Sequence, residues 1–175
     1  MNFNYYIPTK ILFGSGKLNE LHKEVLPGKK ALIVISSGKS TRAFGYLQRL
    51  EEQLKLAGVE SVVFDKILPN PILSHVHEGA KMAKDEGCDF VIGLGGGSAM
   101  DSSKAIAVMA TNPGDFWDYI SGGSGKALPL VNDPLPIVCI TTTAGTGTED
   151  GTGSVCRRKA ERAGWTYAAS GSGGC

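Results

Sequence analysis

The sequence predicts an α/β fold built on a doubly wound, mostly parallel sheet, and three observations carry that expectation. Short apolar runs recur at 31–35, 59–64, 90–94 and 136–140, each rich in β-branched residues, as strands covered on both faces require. Between them lie stretches with apolar residues at helical spacing, the alternation that builds right-handed βαβ units. Turns rich in glycine, serine and threonine follow the strand ends, on the edge where such sheets hold ligands.

Taken in order, residues 3–13 read as two short strands joined at Pro8, and Leu18, Leu21 and Val25 suggest a helix after them. The run 31–35 (Ala-Leu-Ile-Val-Ile) is the first buried strand. Ala43, Leu47, Leu50, Leu54 and Ala57 then recur at steps of 4, 3, 4 and 3, a helical stripe closed by Gly58. Residues 59–64 form the second strand. Pro69, Asn70 and Pro71 break the chain, after which Ser74 can cap a helix that buries Val76, Ala80 and Ala83 and ends at Gly87. The third strand, 90–94, runs straight into Gly95, Gly96, Gly97 and Ser98, and a small-residue helix follows through Ala105, Ile106, Val108 and Met109. Trp117 and Tyr119 are expected to pack a connection over the sheet. The fourth strand, 136–140, ends in a threonine-rich turn at 141–146.

Composition excludes several classes. A chain of 175 residues suits one ordinary domain, and a net charge of +1 argues against a nucleic-acid binder that depends on a basic face. No apolar run approaches the roughly 18 residues of a membrane span. The N-terminus lacks the basic-then-apolar pattern of a secretory signal, so a cytoplasmic protein is expected. The four cysteines, Cys88, Cys139, Cys156 and Cys175, form no C-x-x-C pair and fit reduced thiols. Residues 150–175 contain six glycines and no Leu, Ile, Phe or Met, too little apolar surface to offset ordering entropy. The expected organisation is a globular domain over 1–149 and a disordered tail rich in Gly and Arg over 150–175.

The turn at 95–98 is the strongest local signal. Three glycines let a backbone approach a ligand with no Cβ in the way, and a helix N-terminus offers free N–H groups to a phosphate. Ser98 and Asp101 also have the spacing of a capping box, so a tight, well-capped turn is the plain structural alternative. The stretch 36–40 (Ser-Ser-Gly-Lys-Ser) resembles the end of a P-loop, but the first glycine of that motif would fall at Ile33, inside the strand. In a dinucleotide-binding sheet this turn lies near the adenosine ribose, where selectivity for NAD calls for an acid. Ser36, Ser37, Lys39 and Arg42 instead suit a 2′-phosphate, with a solvated turn as the equal alternative. Hydroxyls at Thr142, Thr143 and Thr146 can bond a nicotinamide or a phosphate, although threonine is also simply a good strand residue. His75 and His77 fall about 200° apart on a helix and cannot share one metal. Three histidines and no paired cysteines give no convincing metal constellation, and no serine has a companion histidine at a defined spacing.

Five landmarks stand in order: Phe-Gly-Ser-Gly at 13–16, Ala-Leu-Ile-Val at 31–34, Pro-Asn-Pro at 69–71, Gly-Gly-Gly-Ser-Ala-Met-Asp-Ser-Ser-Lys at 95–104 and Thr-Thr-Ala-Gly-Thr-Gly-Thr-Glu at 142–149. Together they resemble the N-terminal domain of the iron-containing (group III) alcohol dehydrogenases, particularly the butanol-dehydrogenase-like branch. The resemblance spans residues 1 to about 149. It implies a Rossmann-like dinucleotide-binding domain, followed in the family by an all-helical domain with one Asp and three His ligands for iron or zinc. By position, it implies that Gly96, Gly97 and Ser98 meet the pyrophosphate and that Asp101 lies near the nicotinamide ribose. Thr142, Thr143 and Thr146 would line the second half of the cofactor, and Asn70 its edge. Ser36 and Ser37 stand where NAD-preferring members keep an acid, which implies NADP, with NAD as the alternative.

Family chemistry is reversible hydride transfer between an alcohol or aldehyde and nicotinamide, and a strand near 3–7 resembles one that pairs across family dimers. None of the four metal ligands can be placed in this sequence, and its landmarks stop at Asp150. The expectation is therefore a cofactor-binding domain with weak or no turnover alone, its chain cut short by an out-of-frame ending or a truncated gene copy. The alternatives are a non-catalytic nucleotide-binding fragment, or a relative such as a glycerol dehydrogenase or dehydroquinate synthase.

Overall fold

A computed structural model describes residues 9–121 and 124–149, together with strand residues 155–156 and 165–166. Four strands, β1 (Lys30–Ser36), β2 (Glu60–Ile67), β3 (Phe90–Gly95) and β4 (Ile137–Thr141), form one all-parallel sheet in the order β2-β1-β3-β4. The connections are helical: α1 (Ser40–Ala43) and α2 (Tyr46–Leu56) lead from β1 to β2, α3 (Leu73–Asp85) from β2 to β3, and α4 (Gly97–Thr111) from β3 toward β4.

Alternation along the central strands sorts the core into two layers. Ala31, Ile33 and Ile35 of β1, with Phe90, Ile92 and Leu94 of β3, pack against Leu47, Leu50 and Leu54 of α2. Leu32, Val34 and Val91 point the other way, toward Val76, Ala80 and Ala83 of α3 and Ala105 and Ile106 of α4. A strand covered on both faces has no polar side, which is why β1 and β3 read as unbroken apolar runs. Coverage falls off at β4, where Val138, Cys139 and Ile140 are half-buried and Ile137 and Thr141 are exposed. The sheet is doubly wound, as expected.

Helix ends follow glycine chemistry more closely than serine chemistry. At the end of α3 the Cys88 N–H donates to the Ala83 carbonyl at 2.9 Å and the Gly87 N–H to Lys84 at 3.1 Å, with Gly87 at φ +65°. The same pair of bonds closes α2 at Gly58 and Val59. Ser74, expected to cap α3, lies exposed inside its first turn, and Ile72 occupies the cap position without a side-chain bond. The stripe expected from Ala43 to Ala57 is broken: Gly45 at φ +70° separates α1 from α2 and leaves Ala43 exposed. The helix expected around Leu18 is a 3-10 turn, Lys17–Lys23, that buries Leu21 and leaves Val25 outside, 99% exposed.

Trp117 and Tyr119 belong to a second 3-10 turn, Phe116–Tyr119, buried in the α3–α4 layer. Of the two strands expected over 3–13, the first lies outside the described residues, and residues 9–13, expected as the second, are irregular chain. In the segment expected as a tail, β5 (Val155–Cys156) and β6 (Trp165–Thr166) pair antiparallel apart from the main sheet, and the other residues of 150–175 lie outside the described ones. Among the described residues no helix is long and apolar enough to cross a membrane.

Candidate functional site

The strand order places a topological switch between β1 and β3. The chain leaves β1 for β2 on one side, then crosses back over to β3 on the other, so the connections after β1 and β3 diverge, the arrangement in which open sheets form a crevice outside the strand C-terminal ends. The turn 36–39 borders this crevice on one side and the glycine turn 95–97 on the other.

On the β3 side, close packing explains the glycines. A Cβ on Gly93 would lie 2.5 Å from Ser103 Oγ and 3.1 Å from Met100 Cα, so its absence lets α4 settle directly on the strand. Gly96 caps α4, its carbonyl accepting from the N–H groups of Ala99 (3.1 Å) and Met100 (3.2 Å). That leaves the N–H groups of Gly97 and Ser98 at the head of a 15-residue helix, where its positive end lies. The expected capping box does not form. The helix starts at Gly97, one residue ahead of Ser98, no side chain bonds the cap, and the Asp101 carboxylate accepts instead from the Thr148 hydroxyl.

The threonine segment lies over that turn. The Thr142 N–H donates to the Gly95 carbonyl at 2.9 Å. A Cβ on Gly96 would come within 3.1 Å of Thr143 Oγ1, and one on Gly97 within 3.7 Å of Thr146 Cβ, so these four residues are brought together. Thr141 Oγ1 donates to the Thr143 carbonyl at 2.8 Å, and Thr146 Oγ1 to Glu149 Oε2 at 3.0 Å. At the rear of the segment Lys104, 5% exposed, donates from Nζ to the carbonyl and hydroxyl oxygens of Thr148. Cys139 of β4 sits beside this group. Burial pushes its thiol up to about 11, with Lys104 pulling the other way and Glu149 and Asp101 adding to the rise.

On the β1 side, Ser36, Ser37, Gly38, Lys39, Arg42 and Asp65 line a cleft of about 370 Å³. Asp65 was not legible as a site residue. Val34 pairs with Phe64 but Ser36 with Ile67, so β2 carries one extra residue there and Asp65 and Lys66 are both exposed. Such a bulge re-aims a side chain, here toward the end of β1. Arg42 Nη2 donates to Asp65 Oδ2 at 2.8 Å. The turn thus has an acid within reach, supplied from the neighbouring strand and already paired with a base. Asn70 lies on the same sheet edge beyond β2, exposed and at φ +57°.

His75 and His77, in the first turns of α3, are half-buried, and His77 Nε2 lies 3.6 Å from Asp115 Oδ1. Among the described residues no three His, Cys, Asp or Glu side chains gather into a set that could hold a metal ion.

An open parallel sheet with helices on both faces and a glycine turn at its switch point defines a Rossmann-like α/β domain. The chain belongs to the iron-containing alcohol dehydrogenase family, whose description matches residues 8–169, running on past the last landmark at Glu149. It is 36% identical over 166 residues to a probable NADH-dependent butanol dehydrogenase of Bacillus subtilis, covering 94% of this chain and 42% of that protein. The structure of an NADH-dependent butanol dehydrogenase from Thermotoga maritima superposes with a TM-score of 0.87 at 33% identity, over 97% of this chain and 42% of that one. That of a sulfoacetaldehyde reductase from Bifidobacterium kashiwanohense in complex with NAD+ gives 0.83 at 30% identity, over 97% and 44%. The chain spans about two-fifths of the length of these relatives.

Proposed function

We propose that this chain supplies the dinucleotide-binding part of an NAD(P)-linked alcohol dehydrogenase, which transfers hydride between an alcohol or aldehyde and nicotinamide. The observation that carries the reading is the stacking of Thr143 and Thr146 on Gly96 and Gly97 at the switch between β1 and β3. Bare backbone beside a helix N-terminus suits a diphosphate, which needs close approach and positive potential. Gly96, Gly97 and Ser98 would hold it. Asp101 would face the nicotinamide ribose, Thr142, Thr143 and Thr146 would bond the nicotinamide half, and Asn70 would close the edge. When bound, the cofactor supplies or accepts the hydride, and the residues of this chain hold it in place.

Ser36, Ser37, Lys39 and Arg42 favour a 2′-phosphate and hence NADP, whereas Asp65 in the same cleft favours the free 2′-hydroxyl of NAD. The names of the relatives speak for NADH, and the balance between Arg42 and Asp65 decides the preference here. The iron or zinc chemistry of the family finds no donor set among the described residues. Turnover by this chain alone is therefore expected to be weak or nil.

Titration of the full chain with NADH and with NADPH, followed by nicotinamide fluorescence, tests the reading. Saturable one-to-one binding of at least one of them is expected, and a folded chain that binds neither contradicts it.

A further inference from the structure

We propose that Lys104 is a positioning residue that clamps the rear of segment 142–149 to α4 and so holds Thr143 and Thr146 over the glycine turn. The clamp stands on its own geometry; only its effect on affinity rests on the dinucleotide reading above. Lys104 is 5% exposed, next to Ala105, Ile106 and Ala107, which are buried too. Burying an ammonium is costly unless hydrogen bonds replace its water, so the partners it reaches are informative. Its neighbours Ser102 and Ser103 bond back to their own helix, at the Ser98 and Ala99 carbonyls, 2.8 and 2.7 Å away. Lys104 leaves the helix instead. Its Nζ donates across 44 positions to the carbonyl of Thr148 and, at 3.1 Å, to the Thr148 hydroxyl, which in turn donates to Asp101.

The segment it holds has little else to fix it. Residues 142–147 are exposed, and Gly145 and Gly147 adopt φ +82° and +65°. An exposed run with glycines is costly to order, and few apolar contacts offset that cost. The front is tied by the Thr142 N–H to the Gly95 carbonyl, and the rear by Lys104 and Asp101 through Thr148. Thr143 and Thr146 lie between the two ties. Releasing the rear tie frees Thr146 from Gly97 while leaving the β1 turn, on the far side of the crevice, untouched.

Two variants test the clamp: Lys104→Met, which keeps length and removes the ammonium, and Thr148→Val, which keeps shape and removes the hydroxyl. In the ligand-free full chain, hydrogen–deuterium exchange is expected to rise about fivefold or more across 142–149 in both variants, with 31–35 and 90–94 at wild-type protection. NADH affinity is expected to fall about tenfold while AMP, which carries only the adenine half, stays within about twofold. Lys104→Arg, which retains a donor, is expected to recover part of the loss. Unchanged exchange across 142–149 in both variants overturns the clamp. So does an equal loss for AMP and NADH, since that marks a general destabilisation. A wild-type chain that binds no dinucleotide yet shows the local rise in exchange in its variants sinks the functional reading and leaves the clamp standing.

Discussion

At the scale of single residues, the Arg42–Asp65 pair sets the chemistry of the β1 cleft. Both side chains are about half exposed, and an ion pair in that setting contributes only about 0–1 kcal/mol. A pair that weak is easily exchanged. A 2′-phosphate can take Arg42 from Asp65 by offering more charge and more acceptor oxygens, and a ribose hydroxyl can take Asp65 from Arg42. Asp65→Asn is therefore expected to raise the NADPH-to-NADH affinity ratio about tenfold, and Arg42→Ala to lower it about tenfold, since a charged hydrogen bond is gained or lost in each case. Parallel fluorescence titrations of the two variants check this, and equal ratios in both would show that the cleft does not read the 2′-position. The place of Asp65 in this cleft was hidden in the sequence for a physical reason. It depends on one extra residue in β2 relative to β1, and register irregularities leave no compositional trace.

At the scale of elements, the seat of α4 on β3 decides how sharply the site is built. The strand could be read from its unbroken apolar run, and the helix that follows from its small residues. Their intimacy could be read only in part, from the glycines that permit it. Gly93 is the critical one, because a Cβ there meets Met100 backbone at 3.1 Å and Ser103 Oγ at 2.5 Å, and backbone cannot rotate out of the way. Gly93→Ala is expected to lower stability by about 1–3 kcal/mol through overpacking, visible as a lower urea midpoint at unchanged slope. A midpoint within error of wild type would show that the layer has slack. Caps were the least legible feature. Ser74 and Ser98 both have suitable chemistry, yet both helices begin before them, so their hydroxyls fall inside the first turn where they cannot bond the cap. The helical stripe from Ala43 to Ala57 likewise hid a break, because Gly45 turns left-handed without disturbing the spacing of Leu47, Leu50 and Leu54.

At the scale of the whole molecule, strand order converts these local features into a site. A run of four parallel strands in simple sequential order would have no switch, and the serine turn and the glycine turn would not face one crevice. The order β2-β1-β3-β4 brings together residues 36–39, 95–98 and 142–146, which are far apart in sequence. Parallel strands and strand-end turns were legible, since alternation dictates them. The order of the strands was not, because the sequence of crossovers is fixed by packing between layers and not by any one segment. The most direct measurement is amide hydrogen exchange of the full chain with and without saturating NADH or NADPH. Protection gained at 36–39, 95–98 and 142–146 is the predicted result, whereas protection confined to the groove between α3 and the end of α4, around His77, Lys81 and Lys84, or none at all in a folded chain, would contradict it.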